Sequence, residues 1–64
     1  MTAAEFKAAR LEMGITQKLV ADSTGHRTRT VQRWEAGESP IKPKVATLIR
    51  HWLAEHRKQP RLEV

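Results

Sequence analysis

Three glycines divide this 64-residue chain into short segments. Gly14, Gly25 and Gly37 each follow a stretch in which apolar residues recur at helical spacing. A glycine in that position is typical of a helix end, and no part of the sequence has the alternating pattern of a strand. Short helices are stable in water only when their apolar faces pack together. The chain is therefore predicted to be all-α. It is expected to form a compact bundle of four or five helices.

The first two predicted helices have clear start signals. Thr2 and Glu5 have the T-x-x-E spacing of a capping box, which predicts helix 1 over residues 3–13. Thr16 can cap a second helix, which is predicted over residues 17–24.

Helix 3 is predicted over residues 28–36, after a turn short enough for a helix-turn-helix pair. Helix 4, predicted over 43–57, begins at Pro43 and has the strongest periodic signal. Its apolar stripe covers an arc of ~140° and consists of Val45, Leu48, Ile49, Trp52 and Leu53. We expect one domain over residues 1–57 and a frayed tail over 58–64.

Helix 3 carries two kinds of residue. Val31 and Trp34 lie three apart and are predicted to face the core. Arg29, Gln32 and Arg33 point outward, with hydrogen-bond donors that suit phosphates and guanine edges. Such a helix suits a DNA groove.

The net charge of +5 is unevenly distributed. Residues 1–26 hold three basic and three acidic residues, whereas residues 27–64 hold nine basic and four acidic ones. An excess of this kind is typical of proteins with a polyanionic partner. There is no signal peptide and no apolar run near the roughly 20 residues of a membrane span, so a soluble cytoplasmic protein without membrane function is expected.

Metal, cofactor and enzymatic chemistry have little support in the sequence. His51 and His56 are five apart, a spacing that does not stack them on one helical face, and the chain has no cysteine. His26 is expected to shape the turn or to donate to a phosphate. No nucleophile–base pairing, carboxylate dyad or glycine-rich phosphate loop is found, so we expect no enzyme, no cofactor, no metal and no small-molecule ligand.

The sequence from Glu5 to Leu53 resembles the Cro/repressor family of helix-turn-helix proteins, also called the xenobiotic-response-element (XRE) type. The pieces that carry the resemblance are Lys7-x-x-Arg10, Met13-Gly14-Ile15-Thr16-Gln17, Ala21, Gly25, Val31 and Arg33-Trp34-Glu35-x-Gly37. The resemblance implies a lambda-repressor-like DNA-binding domain. His26 stands where the family usually has a hydrophobic residue, and Arg27 where it has a small cap. Helix 3 can therefore be capped by Arg27 or, one residue later, by Thr28.

The resemblance implies two sets of contacts with double-stranded DNA. The residues at base-reading positions are Thr28, Arg29, Gln32 and Arg33. The candidates for phosphate contacts in and around the helix pair are Thr16, Gln17, Lys18, His26, Arg27 and Thr30. Lys42 and Lys44 can reach the DNA backbone from the loop before helix 4, or can simply be solvated. Any one arginine can read a base or only neutralise a phosphate, because phosphate and sugar take half to two-thirds of protein–DNA hydrogen bonds.

Three further features concern stability and assembly. Arg10 and Glu35 resemble the ion pair that ties helix 1 to helix 3 in this family; the alternative is a surface pair worth about 0–1 kcal/mol. Trp34 is predicted to lie in the core. Trp52 and Leu53 either complete the core of the monomer or cover a partner subunit.

The predicted function is sequence-specific DNA binding by a transcriptional regulator, a repressor of phage or autoregulatory type. A homodimer would place helix 3 in successive major grooves about 34–36 Å apart on a palindromic operator. The alternative is an antitoxin-like or other protein-interaction module with the same fold. The outward face of helix 3 argues against it, because an interaction module needs an acidic or apolar surface there.

Overall fold

The computed structural model describes residues 1–58, which form four helices and no strand. They are α1 (Ala3–Met13), α2 (Gln17–Thr24), α3 (Thr28–Glu35) and α4 (Pro43–Lys58). The all-α prediction is confirmed, and every helix end lies within one residue of its predicted position. The predicted tail begins at Lys58, which is the last residue of α4, and residues 59–64 lie outside the described part.

Local capping explains the starts of α1 and α2. In the capping box, the Glu5 N–H donates to the Thr2 hydroxyl at 3.1 Å, and the Thr2 N–H donates to the Glu5 carboxylate at 2.7 Å. The Thr16 hydroxyl accepts from the Leu19 N–H at 3.0 Å. A side-chain cap of this kind is worth about 1 kcal/mol. These bonds explain why sequence signals located both helices.

The start of α3 has no such bond. Arg27 is the N-cap, with φ −90° and ψ 152°, and its side chain makes no capping hydrogen bond. Of the two starts that the sequence allowed, the structure therefore has the one with Arg27 as the cap and Thr28 as the first helical residue. Tertiary packing holds this helix instead, through buried Val31 and Trp34.

All four helices contribute to one core. Its buried side chains are Phe6, Ala9, Val20, Ala21, Val31, Trp34, Val45, Ala46 and Ile49. Trp34 is 1% exposed and meets the Phe6 ring edge to face, with ring centroids 5.9 Å apart. The prediction that Trp34 lies in the core is confirmed. Trp52 and Leu53 are half-buried against the same core.

Candidate nucleic-acid interface

The turn between α2 and α3 consists of three residues, 25–27. Gly25 has a φ of 72°, a left-handed conformation that side chains with a Cβ avoid. The next N–H, that of His26, returns to the Ala21 carbonyl at 2.9 Å and closes the end of α2. The chain therefore reverses within three residues, and α2 and α3 pack directly against each other.

The two faces of α3 differ as the sequence predicts. Val31 and Trp34 are buried, whereas Arg29, Gln32 and Arg33 are exposed. Within residues 1–58, no carboxylate lies within ion-pair distance of Arg29 or Arg33. The outer face of α3 therefore presents an amide and two guanidinium groups, and no carboxylate of residues 1–58 neutralises either guanidinium.

A helix-turn-helix family of the Cro/XRE type matches residues 6–51, well over half of the chain. The chain belongs to this family. No curated protein and no solved structure matches it. The family assignment makes the chain a Cro/XRE-type DNA-binding transcription regulator whose partner is double-stranded DNA.

The other predicted base-reading and phosphate residues of this regulator lie around the same helix pair. Thr28 and Thr30 are half-buried at the start of α3, and Arg27 is exposed just before it. Lys18 is exposed on α2 and pairs with Asp22 at 3.2 Å, a contact between two exposed groups that can open easily. The structure thus leaves Arg27 and Lys18 accessible to a polyanion.

The start of α2 is more constrained. The Thr16 hydroxyl oxygen accepts the capping bond of this helix, a bond that uses an oxygen lone pair and not the O–H donor. Gln17 is half-buried, and its amide Nε2 donates to Glu35 Oε1 at 3.2 Å. Sequence reasoning did not find this bond, because Gln17 and Glu35 are 18 residues apart and only the fold brings them together.

Arg10 and Glu35 form an ion pair between α1 and the end of α3. Arg10 donates through Nε to Glu35 Oε2 at 2.6 Å and through Nη2 to Oε1 at 3.1 Å. The two side chains are only 12% and 6% exposed, respectively. Arg10 Nη1 also donates to the Ile15 carbonyl at 3.0 Å, which ties the turn before α2 to the same pair.

The ionisation of Glu35 follows from these contacts. Burial raises the pKa of Glu35, but hydrogen bonds from Arg10 and Gln17 and the positive charges of Arg10 and Lys7 outweigh burial. The net effect lowers the pKa of this carboxyl below its ordinary value. Glu35 is therefore charged at neutral pH and is a permanent acceptor for Arg10 and Gln17.

A groove of about 600 Å³ lies between the turn and the start of α4. Its lining residues are Thr24, His26, Lys42, Pro43, Lys44, Val45 and Leu48. The fold thus brings three of the predicted phosphate contacts, namely His26 and the two lysines, to one groove. The His26 ring also meets the Trp34 ring edge to face, with centroids 4.9 Å apart, so His26 packs within the turn.

Two further findings bear on other classes of site. None of the helices α1 to α4 combines the length and the apolar character that crossing a membrane requires. Residues 1–58 contain no group of three or more histidine, aspartate or glutamate side chains placed to hold a metal ion.

Proposed function

We propose that this helix-turn-helix regulator is a sequence-specific repressor that inserts α3 in the major groove and occludes a promoter. The observation that carries the proposal is the exposed face of Arg29, Gln32 and Arg33 on a helix anchored by buried Val31 and Trp34. Arginine can donate two hydrogen bonds to guanine, and glutamine can pair with adenine. A rigid helix places these donors at fixed spacing, which direct reading of bases requires.

The proposed contacts fall into two groups with different effects. The residues proposed to read bases are Thr28, Arg29, Gln32 and Arg33. The residues proposed to contact phosphates are Thr16, Gln17, Lys18, His26, Arg27, Thr30, Lys42 and Lys44. Base contacts set the sequence preference, whereas phosphate contacts fix the position of the protein and make its affinity depend on salt.

We further propose that the protein acts as a homodimer on a palindromic operator in the cytoplasm, without catalytic activity. Trp52 and Leu53 are candidates for the dimer contact, because both are half-buried and keep an exposed part on α4. Two-fold symmetry would place the two copies of α3 about one helical turn of DNA apart. Binding to its own promoter would make the repressor autoregulatory.

Selection of bound sequences from a random duplex pool, followed by salt titration of the best one, tests the proposal. A palindromic consensus and a steep fall of affinity with salt are expected. Arg29→Ala should relax the preference at one base position, with a loss of about 1–3 kcal/mol in discrimination. Gln17→Ala should weaken binding to all duplexes about equally. A pool with no enriched sequence would contradict the proposal and favour an interaction with a protein partner.

A further inference from the structure

The carboxylate of Glu35 connects three helices. Its Oε2 accepts from Arg10 of α1, and its Oε1 accepts from both Arg10 and Gln17, the first residue of α2. Glu35 itself is the last residue of α3. With its side chain only 6% exposed, this carboxylate is held in place chiefly by protein groups rather than by water.

The bond from Gln17 uses one of the two N–H groups of its amide. Within residues 1–58 the amide makes no other hydrogen bond, so the second N–H is the group that would donate to a phosphate at the start of α2, where Gln17 is a proposed contact. A side chain that is already fixed in the free protein loses less conformational entropy when it binds. Glu35 thus restricts the Gln17 side chain before DNA arrives, and Arg10 restricts Glu35 in turn through two hydrogen bonds.

We propose that Glu35 is a positioning residue for DNA binding: through Gln17 it fixes the phosphate contact at the start of α2 relative to the end of α3. The inference rests on the proposed function, in which Gln17 holds a phosphate. It goes beyond an ion pair that only stabilises the fold. A carboxylate that acts on stability alone would change the fraction of folded protein, but not the affinity of the folded molecules.

The experiment is a double-mutant cycle in which the dissociation constant for DNA is measured for each variant. Glu35→Asp keeps the negative charge but draws the carboxylate back by one methylene from both Gln17 and Arg10, so the Gln17→Ala background is needed to isolate the part that acts through the amide. At a temperature where circular dichroism shows complete folding, the dissociation constant for the selected duplex should rise about three- to tenfold, the equivalent of one hydrogen bond. In a Gln17→Ala background, Glu35→Asp should raise the dissociation constant by less than about twofold.

Lys18 supplies the matched control. It is the next residue on α2 and a proposed phosphate contact, but its structural partner is Asp22 and not Glu35. In a Lys18→Ala background, Glu35→Asp should therefore keep its full effect on affinity. The fold-increases in dissociation constant caused by the two changes should then multiply.

The outcomes separate the two proposals. If the wild-type protein binds no duplex, the proposed function and this inference both fail. If it binds but Glu35→Asp has the same effect with and without the Gln17 amide, only the positioning role fails. Should Glu35→Asp not fold, NMR of the wild type decides: one Gln17 Nε2 proton shifted downfield of a free glutamine amide and protected from exchange with solvent supports the bond to Glu35, and two protons with the shifts and exchange rates of a free amide overturn it.

Discussion

Removal of the Glu35 carboxylate should destabilise the domain more than any other loss of a single charge in the described part of the chain. In Glu35→Ala, Arg10 keeps only the bond to the Ile15 carbonyl, and Gln17 loses its acceptor. Stranding one charge of a buried pair costs about 3–5 kcal/mol. Because the Arg10 side chain is 12% exposed and can be partly hydrated, we expect about 3 kcal/mol, the lower end of that range.

Thermal and urea unfolding followed by circular dichroism measure this loss. For a domain of this size, about 3 kcal/mol corresponds to a fall in Tm of about 12–24 °C. The matched control is Glu12→Ala, since Glu12 forms the same kind of two-bond contact with Arg57 but both groups lie at the surface, 41% and 61% exposed, respectively. Solvent screening makes such a pair weak, so the control should leave stability nearly unchanged.

The double variant Arg10→Met, Glu35→Leu tests whether the effect comes from a stranded charge. Apolar replacement of both partners of a buried pair is often neutral, so the double variant should recover most of the stability that either single change removes. With Arg10→Met and Glu35→Leu alone each costing about 3 kcal/mol and the double variant about 1 kcal/mol, the expected coupling energy is about 5 kcal/mol. A coupling near zero, or a loss below about 1 kcal/mol in Glu35→Ala, would show that the pair behaves like an exposed one and would refute the reasoning.

Three other perturbations have predictable signs. The folded-state pKa of Glu35 lies below its ordinary value, so its stabilisation is complete above the unfolded pKa of about 4.3 and is lost as pH falls through the folded pKa. The difference in unfolding free energy between wild type and Glu35→Gln should therefore narrow on acidification; a constant difference would contradict this. Gly25→Ala should cost about 1–2 kcal/mol through its φ of 72° alone, since no atom lies within 4 Å of the added Cβ. Gly25→Asn should cost less, and equal losses would argue against a backbone cause. Arg27→Ser should stabilise the fold by about 1 kcal/mol by capping α3, which urea unfolding would detect; no gain would mean that the hydroxyl does not reach the helix.

The parts of the fold that the sequence predicts well depend on neighbouring residues. Thr2 and Thr16 cap helices within three residues of themselves, and Gly25 ends a helix by its own backbone conformation, so local signals locate these ends. The cap of α3 is different: the local signal favours Thr28, because threonine is the better capping residue, but the structure has Arg27 at this position. Packing of α3 against the rest of the protein settles the choice of cap.

The candidate site also has features that the sequence predicts and features that depend on the fold. The basic outer face of α3 follows from helical spacing, but the bond between Gln17 and Glu35 joins residues that no sequence pattern relates. The groove that gathers His26 with Lys42 and Lys44 likewise depends on how α4 packs beside the turn. The assignment of these residues to bases or phosphates stays a prediction until a duplex is bound.

The two ends of α3 are stabilised by different means, and this difference bears on its role. Trp34 and Glu35 hold the end of the helix through the core and through Arg10, whereas Arg27 leaves the start without a side-chain cap. A serine at position 27 would supply the missing hydrogen bond but would remove a proposed phosphate contact. Stability and DNA affinity should therefore change in opposite directions at this position. An arginine at the cap is unfavourable for the isolated domain, but it is consistent with a helix whose start faces a polyanion.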